Sequence, residues 1–195
     1  MKQKILFIHG FGGSNTEHRS LRELVSQYDC VSYSYDEKFG SISLDMLAKR
    51  VAEKFKKESF LAVVGISQGG IIATVAVEKY HLQTNHIITL CSPFRGSYLA
   101  YGFLGVGVKE LRPQSALLRE IRTYLKQTTH SYYAIYNPFD LMVFPGTFAK
   151  NPVALKQEKV YAIAHPFTFS HPKTIRILKK WIAAIDKESN NQAQL

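Results

Sequence analysis

The sequence predicts a single α/β domain, residues 1–195, built on a mostly parallel central sheet with helices on both faces. Three observations carry that prediction. Short apolar runs recur between stretches of helical periodicity. The first run, Ile5 to Ile8, ends in a glycine-rich loop, His9-Gly10-Phe11-Gly12-Gly13. A charge-free run from Leu61 breaks at Gly65-Ile66-Ser67-Gln68-Gly69 and resumes as an apolar, alanine-containing segment, which reads as strand, tight turn and helix. Strands alternating with helices of this length require crossover connections, and these favour parallel pairing with both faces covered. A chain of 195 residues is long enough for one full core and short for two.

The elements follow in order. Ile5 to Ile8 is a strand buried on both faces. Ser14 or Asn15 caps a helix whose apolar positions are Leu21, Leu24 and Val25. Cys30 to Tyr35 alternates as a second strand, and Ser43 opens a helix with Leu44, Leu47, Val51 and Phe55 on one stripe. Phe60 to Ile66 is the strand before the turn, and the helix after it runs to about Tyr80. Ile87 to Cys91 is the next buried strand, closed by Ser92-Pro93. Phe94 to Val108 departs from the pattern, with aromatic and aliphatic residues among glycines that include Gly102, Gly105 and Gly107; it is either a buried irregular helix pair or an apolar cap over a site. Leu111 to Leu125, broken early by Pro113, is amphipathic, so residues 94–125 form the candidate lid or cap insertion. Ser131 to Tyr136 is a strand that turns out through Asn137-Pro138-Phe139-Asp140. Lys159 to Ile163 is the last strand, leading to Ala164-His165-Pro166, and Thr174 to Asp186 is the closing helix.

Composition narrows the function. With 46% hydrophobic and 21% charged residues, the chain is not generally disordered. Its net charge of +10 comes from scattered lysines and arginines without a basic block or nucleic-acid motif. This describes a solvated surface first and contact with an anionic membrane surface second. Cys30 and Cys91 have no metal-ligand spacing and form no disulfide framework. No apolar run reaches the roughly 18 residues of a membrane span. Met1 to Lys4 leads directly into the first strand, so the expectation is a cytoplasmic protein or one exported without a standard signal peptide. The loop at Gly12-Gly13-Ser14-Asn15 lacks the lysine of a phosphate-binding loop, and the dinucleotide fingerprint is absent. No cofactor and no metal are expected.

Ser67 is the candidate nucleophile. A serine hydroxyl needs a base within hydrogen-bond reach, and the base needs an acid to orient it. Where the nucleophile sits on a strand-to-helix turn of this kind, the acid and then the histidine follow it in the chain. Of the seven histidines, His165 directly follows a strand at its carboxyl end, while His171 precedes Pro172 and lines a helix start. Among the intervening carboxyls, Glu78 stands roughly 16 Å along its helix from Ser67 at about 1.5 Å per residue. Glu110 and Glu120 lie in helical segments, and Glu158 enters its strand at the wrong end. Asp140 alone leaves the carboxyl end of a strand, with an Asx turn after Pro138 as its other reading. The backbone N–H groups of Gln68 and Phe11 are the candidate oxyanion donors.

With these residues assembled, the chain resembles the α/β-hydrolase superfamily, in particular small bacterial triacylglycerol lipases and esterases that begin with a strand and an His-Gly-x-Gly-Gly loop. The resemblance covers Ile5 to Gly13, Gly65 to Gly70, Ser92 to Ser97, Asp140 to Val143 and His165. Ser92-Pro93-Phe94-Arg95-Gly96 looks like a variant of the Thr-Pro-His-x-Gly stretch that leads into a lid in such lipases. Ile66 replaces the histidine that many of them carry at this turn, which is similar to the Gly-x-Ser-Gln-Gly elbow of acyl-protein thioesterase-like carboxylesterases. The resemblance implies a cofactor-independent hydrolase of small-molecule esters or lipids with an apolar acyl chain, Ser67, His165 and Asp140 forming its triad. Phe11, Phe94, Tyr98, Leu99, Phe103 and Phe139 are expected to contact the acyl chain. Thioesters are the alternative substrate class, and a non-catalytic binding role on the same fold is the alternative from outside enzymology.

Overall fold

A computed structural model describes residues 2–13, 21, 25–35 and 40–192. Six strands form one parallel sheet in the order β2-β1-β4-β6-β7-β8, where β1 is Lys4–Ile8, β2 Asp29–Tyr33, β4 Ala62–Ile66, β6 His86–Leu90, β7 Ser131–Tyr136 and β8 Ala154–Lys159. Two-residue strands β3 (Ser59–Phe60) and β5 (Gln83–Thr84) pair separately, so the predicted Phe60 to Ile66 strand is divided at Leu61. Helices whose whole span is described are α1 (Leu44–Lys54), α2 (Gln68–Glu78), α3 (Val106–Glu110), α4 (Ala116–Gln127), α5 (His165–Ser170) and α6 (Pro172–Gln192), with short 3-10 turns at Tyr98–Gly102 and Gly146–Ala149. The helix expected after Ser14 lies largely outside the described residues.

The pleat sorts each strand between two apolar layers. Leu6, Ile8, Val63, Ile87 and Tyr132 face a layer formed by α1, α2 and α4, including Leu47, Val51, Ile72, Leu118 and Ile121. Their neighbours Ile5, Phe7, Val64, Ile88 and Tyr133 face the other layer, with Leu21, Val25, Leu178, Trp181 and Ile182. Alternation within continuous apolar runs is what a sheet covered on both faces requires. Cap residues agree with the local sequence: Ser43 Oγ accepts from Met46 N and Ser115 Oγ from Leu118 N. Pro113 lies in the turn between α3 and α4, so the single amphipathic helix expected from Leu111 is instead α4, starting at Ala116. Among the described residues, no helix is long and apolar enough to cross a membrane.

The last strand corrects the sequence reading. β8 is Ala154–Lys159 and largely exposed, and the expected strand at Lys159 to Ile163 is mostly the connection that follows it. An edge strand has one neighbour and needs no apolar run, and charges along it discourage further pairing. Its sequence, Ala-Leu-Lys-Gln-Glu-Lys, therefore lacks the signal used to find the central strands.

Topology defines where a ligand fits. The strand order reverses at β1: its connection leads outward to β2, whereas β4 leads through α2 toward β6. Loops leaving the carboxyl ends of adjacent β1 and β4 diverge to opposite faces, opening the crevice at which sheets of this type bind ligands.

At the opposite edge, the Glu78 carboxyl joins the end of α2 to the start of β7. Its Oε1 accepts from Thr128 Oγ1 at 2.6 Å, Tyr132 OH at 2.8 Å and His130 Nδ1 at 3.0 Å. Burial pushes the Glu78 carboxyl up, but the hydrogen bonds from His130, Thr128 and Tyr132 outweigh it and the net direction is below the ordinary 4.5. A folded-state value below the unfolded one gives stability that is complete above the unfolded value and is lost as pH falls through the folded value. Denaturant midpoints are therefore expected to be higher for the wild type than for Glu78→Gln near neutrality, with the difference closing in acid.

Candidate active site

Ser67 occupies the turn between β4 and α2 with φ 53° and ψ −126°, in the positive-φ region that non-glycine residues rarely adopt. The strain is held by neighbours: Ser67 N donates to Leu90 O at 2.7 Å and Gly70 N to Ser67 O at 3.1 Å. α2 is buried along its first ten residues, so its position is determined by packing on all sides. Gly69 is required by space, since a Cβ there would stand 2.3 Å from Ile8 O. The glycines of the Gly-x-Ser-x-Gly pattern thus allow the helix to meet β1 as closely as the turn demands.

The loop after β1 is a tight turn. Gly13 N donates to Gly10 O at 3.1 Å, and Gly12 takes the positive φ of +65° that the third position of a type II turn calls for. This places Phe11 beside Ser67 at the carboxyl ends of the adjoining strands β1 and β4. Buried His9 supports the turn from beneath. Its Nε2 accepts from Tyr35 N at 3.2 Å, so Nδ1 carries the proton and donates to Gly10 O at 2.8 Å. The ring stacks on Tyr35 at 4.0 Å, Tyr35 OH donates to His9 O at 2.8 Å, and Gln68 Nε2 donates to Tyr35 OH at 3.2 Å. His9 and Tyr35 thus tie together the segments following β1, β2 and β4. Sequence reasoning gave neither a role; histidine placed at the junction of strand and glycine loop was the available signal for His9.

Asp140 and His165 are brought together across 25 residues of chain. Asp140 is 1% exposed and divides its two oxygens: Oδ1 accepts from Met142 N at 2.9 Å and Val143 N at 3.0 Å, while Oδ2 accepts from His165 Nδ1 at 2.5 Å. The Asx turn and the bond to histidine, alternatives in the sequence, coexist. His165 is 8% exposed and begins α5 rather than lying in an open loop; its ring meets Phe169 edge-on at 5.0 Å. Its Nε2 is buried without a hydrogen-bond partner, and the ring borders the same cavity as Ser67. His171 instead accepts from Lys173 N at the start of α6. Buried Asn137, which the sequence reading passed over, joins the two loops by donating to Ala162 O and Thr168 Oγ1 and accepting from Phe139 N.

Cys91 lies behind this pair, with Cys91, Asp140 and His165 ligand atoms within 4.8 Å of one another. Burial, and then the Asp140 charge, pushes the Cys91 thiol well above its ordinary range. His165 Nδ1 in this trio is already engaged by the Asp140 carboxyl.

Two cavities meet at Ser67. One, of about 60 Å³, is lined by Leu99, Ala100, Phe103, Val108, Leu111 and Val143 among others. The second, of about 350 Å³, is lined by Leu141, Ala164, His165, Pro166 and Phe169 among others. Of the residues expected to contact substrate, Phe11, Leu99 and Phe103 border them. Phe94 does not: it is buried in the layer of α1, α2 and α4. Tyr98 packs against Phe148, and Phe139 against Tyr161, each on the exterior. Residues immediately beyond Asp140, namely Leu141, Met142 and Val143, line the cavities instead. A larger polar cleft, about 1070 Å³, opens at the amino edge of the sheet around Lys4, Asp29, Glu58 and His86, remote from Ser67.

Strand order, the strained serine turn and the histidine and acid on later loops define the α/β-hydrolase fold. Solved structures agree with this assignment. The chain is similar to the mature lipase BlEst2 of Bacillus licheniformis, at 18% identity and TM-score 0.67 over 91% of this chain and 92% of that one. It is similar to a carboxylesterase of the thaumarchaeon Nitrososphaera gargenis, at 17% identity and TM-score 0.69 over 96% and 92%. A monoacylglycerol lipase of Paleococcus ferrophilus matches at 14% identity and TM-score 0.69 over 93% and 94%. No protein-family model and no curated protein matches the sequence.

The His9–Tyr35–Gln68 network predicts that Tyr35→Phe loosens the turn carrying Phe11. Removing two hydrogen bonds at about 0.5–1.5 kcal/mol each is expected to lower stability by about 1–3 kcal/mol in denaturant titration.

Proposed function

We propose that the protein is a serine hydrolase of carboxylic esters. The observation that carries this reading is the 2.5 Å contact between Asp140 and His165, whose other ring nitrogen is unpartnered beside the cavity that holds Ser67. The lipases and carboxylesterases that share the fold support it.

Each step follows from the chemistry of these groups. Ser67 Oγ forms a bond to the ester carbonyl carbon while its proton passes to His165 Nε2. Asp140 holds the Nδ1–H tautomer and stabilises the imidazolium that results. The carbonyl oxygen becomes an oxyanion, stabilised by the backbone N–H groups of Gln68 and Phe11 and by the N-terminus of the eleven-residue α2. Collapse breaks the bond to the alcohol oxygen, which takes the proton from His165. Water then attacks the acyl-enzyme, giving a proton back through His165 and releasing the carboxylic acid and free Ser67.

Small ester or lipid molecules are the proposed substrates. Exposed Leu104, Phe139, Leu141, Ile163 and Phe167 all belong to segments following strand carboxyl ends, and with the net charge of +10 they suit contact with an anionic lipid surface. The same machinery opens a thioester, and oxygen-ester and thioester substrates of one acyl length rank the two activities.

Turnover of p-nitrophenyl esters is expected to fall on the order of 10⁶-fold in kcat for Ser67→Ala. Equal rates for wild type and variant would refute the proposal. His165→Ala is expected to abolish turnover and His171→Ala to preserve it, and the reverse pattern would transfer the base to His171.

A further inference from the structure

We infer that the site selects esters whose acyl group is short and whose alcohol is bulky, apolar and uncharged, an inference that rests on the ester-hydrolase reading. The two cavities at Ser67 share only Phe11, Ser67 and Met142 among their lining residues. Phe11 and Met142 therefore form a partition, with the reacting carbon expected at the gap between them.

Proton transfer decides which part of the ester lies on which side. His165 must return the proton taken from Ser67 to the alcohol oxygen as the C–O bond breaks, so that oxygen stands beside Nε2. The alcohol consequently enters the cavity lined by His165, Pro166, Phe169 and Leu141. The acyl group, the remaining substituent on the carbonyl carbon, points into the cavity lined by Leu99, Phe103, Val108 and Leu111.

Size then sets the preference. An apolar cavity of about 150 Å³ holds a benzene ring, and a water molecule has a share of about 30 Å³ in the liquid. At about 60 Å³ the acyl side accommodates two or three heavy atoms, whereas about 350 Å³ on the alcohol side accommodates more than a benzene ring. Apart from His165, no ionisable side chain is among the described residues lining either cavity, which disfavours a charged alcohol.

The acyl side is also fixed in size by its supports. Arg112 donates from Nε to Ala100 O at 3.1 Å and from Nη2 to Phe103 O at 2.9 Å, with its guanidinium over the Tyr101 ring. From the other direction, Ser97 Oγ donates to Met142 O at 2.8 Å and accepts from Phe144 N and Leu99 N. The Tyr98–Gly102 turn is thereby joined both to the chain before α4 and to the loop that carries Asp140. These bonds hold the walls of the acyl side in place, so an acyl chain longer than the cavity extends out past half-exposed Leu99 and Phe103 rather than gaining further buried contact.

Two ester series test the inference: acetyl, butyryl and octanoyl esters of 2-naphthol, and acetyl esters of ethanol and 2-naphthylmethanol, two alkyl alcohols of similar leaving ability. The expected result is a fall in kcat/KM of at least about 10-fold from butyryl to octanoyl, together with preference for naphthylmethyl over ethyl acetate. Phe103→Ala, at a half-exposed position whose truncation leaves the core intact, is expected to move the optimum toward octanoyl without changing the preference between alcohols. Octanoyl preference in the wild type overturns the inference while leaving the hydrolase reading in place. A Phe103→Ala variant that alters only alcohol preference reverses the assignment of the two sides and overturns it equally. No turnover of any ester overturns the hydrolase reading itself.

Discussion

Asp140 is a carboxyl group sealed from water, and such a group must find its hydrogen bonds inside the protein. It finds them in Met142 N, Val143 N and His165 Nδ1. The backbone donors fix the carboxyl on its own loop, leaving one oxygen to determine the tautomer and direction of an imidazole 25 residues away. His165 Nε2 is left buried without a hydrogen-bond partner, in a ring that borders the cavity holding Ser67.

The rest of the fold brings Ser67 to the cavity that the His165 ring borders, with no hydrogen bond between Ser67 and Nε2. A parallel sheet whose order reverses at β1 sends the loops after β1 and β4 apart, opening a crevice at their carboxyl ends. Loops after β7 and β8 bring Asp140 and His165 to the same edge, and Asn137 binds the two loops together. The strained backbone of Ser67 persists because α2 is packed on every side and cannot rotate to relieve it. Support for the turn that carries Phe11 comes from different residues, with His9 and Tyr35 joining three loops that are distant in sequence.

Much of this was legible in the chain because it depends on local pattern. Buried central strands are continuous apolar runs, and the turn at Ser67 is marked by glycines needed for close backbone approach. Asp140 emerged from elimination by reach and strand end, which are properties of chain geometry. The features missed depend on partners that sequence order does not reveal. β8 was displaced because an edge strand carries no apolar signature, and α5 began at His165 where a loop was expected. Phe94, Tyr98 and Phe139 share the aromatic character of a substrate wall, yet whether such a ring faces a cavity, the core or the exterior is decided by the loop backbone. Tyr35 and Asn137 act through hydrogen bonds to residues more than twenty positions away, so nothing adjacent to them in the chain announces it.

The central claim is that Ser67 is activated by His165. Its most direct measurement is peptide mapping by mass spectrometry after exposure to a serine-directed fluorophosphonate. The account predicts a single adduct on Ser67, formed far more slowly when His165 is replaced by alanine. No adduct, or an adduct on another serine with Ser67 unmodified, would contradict it.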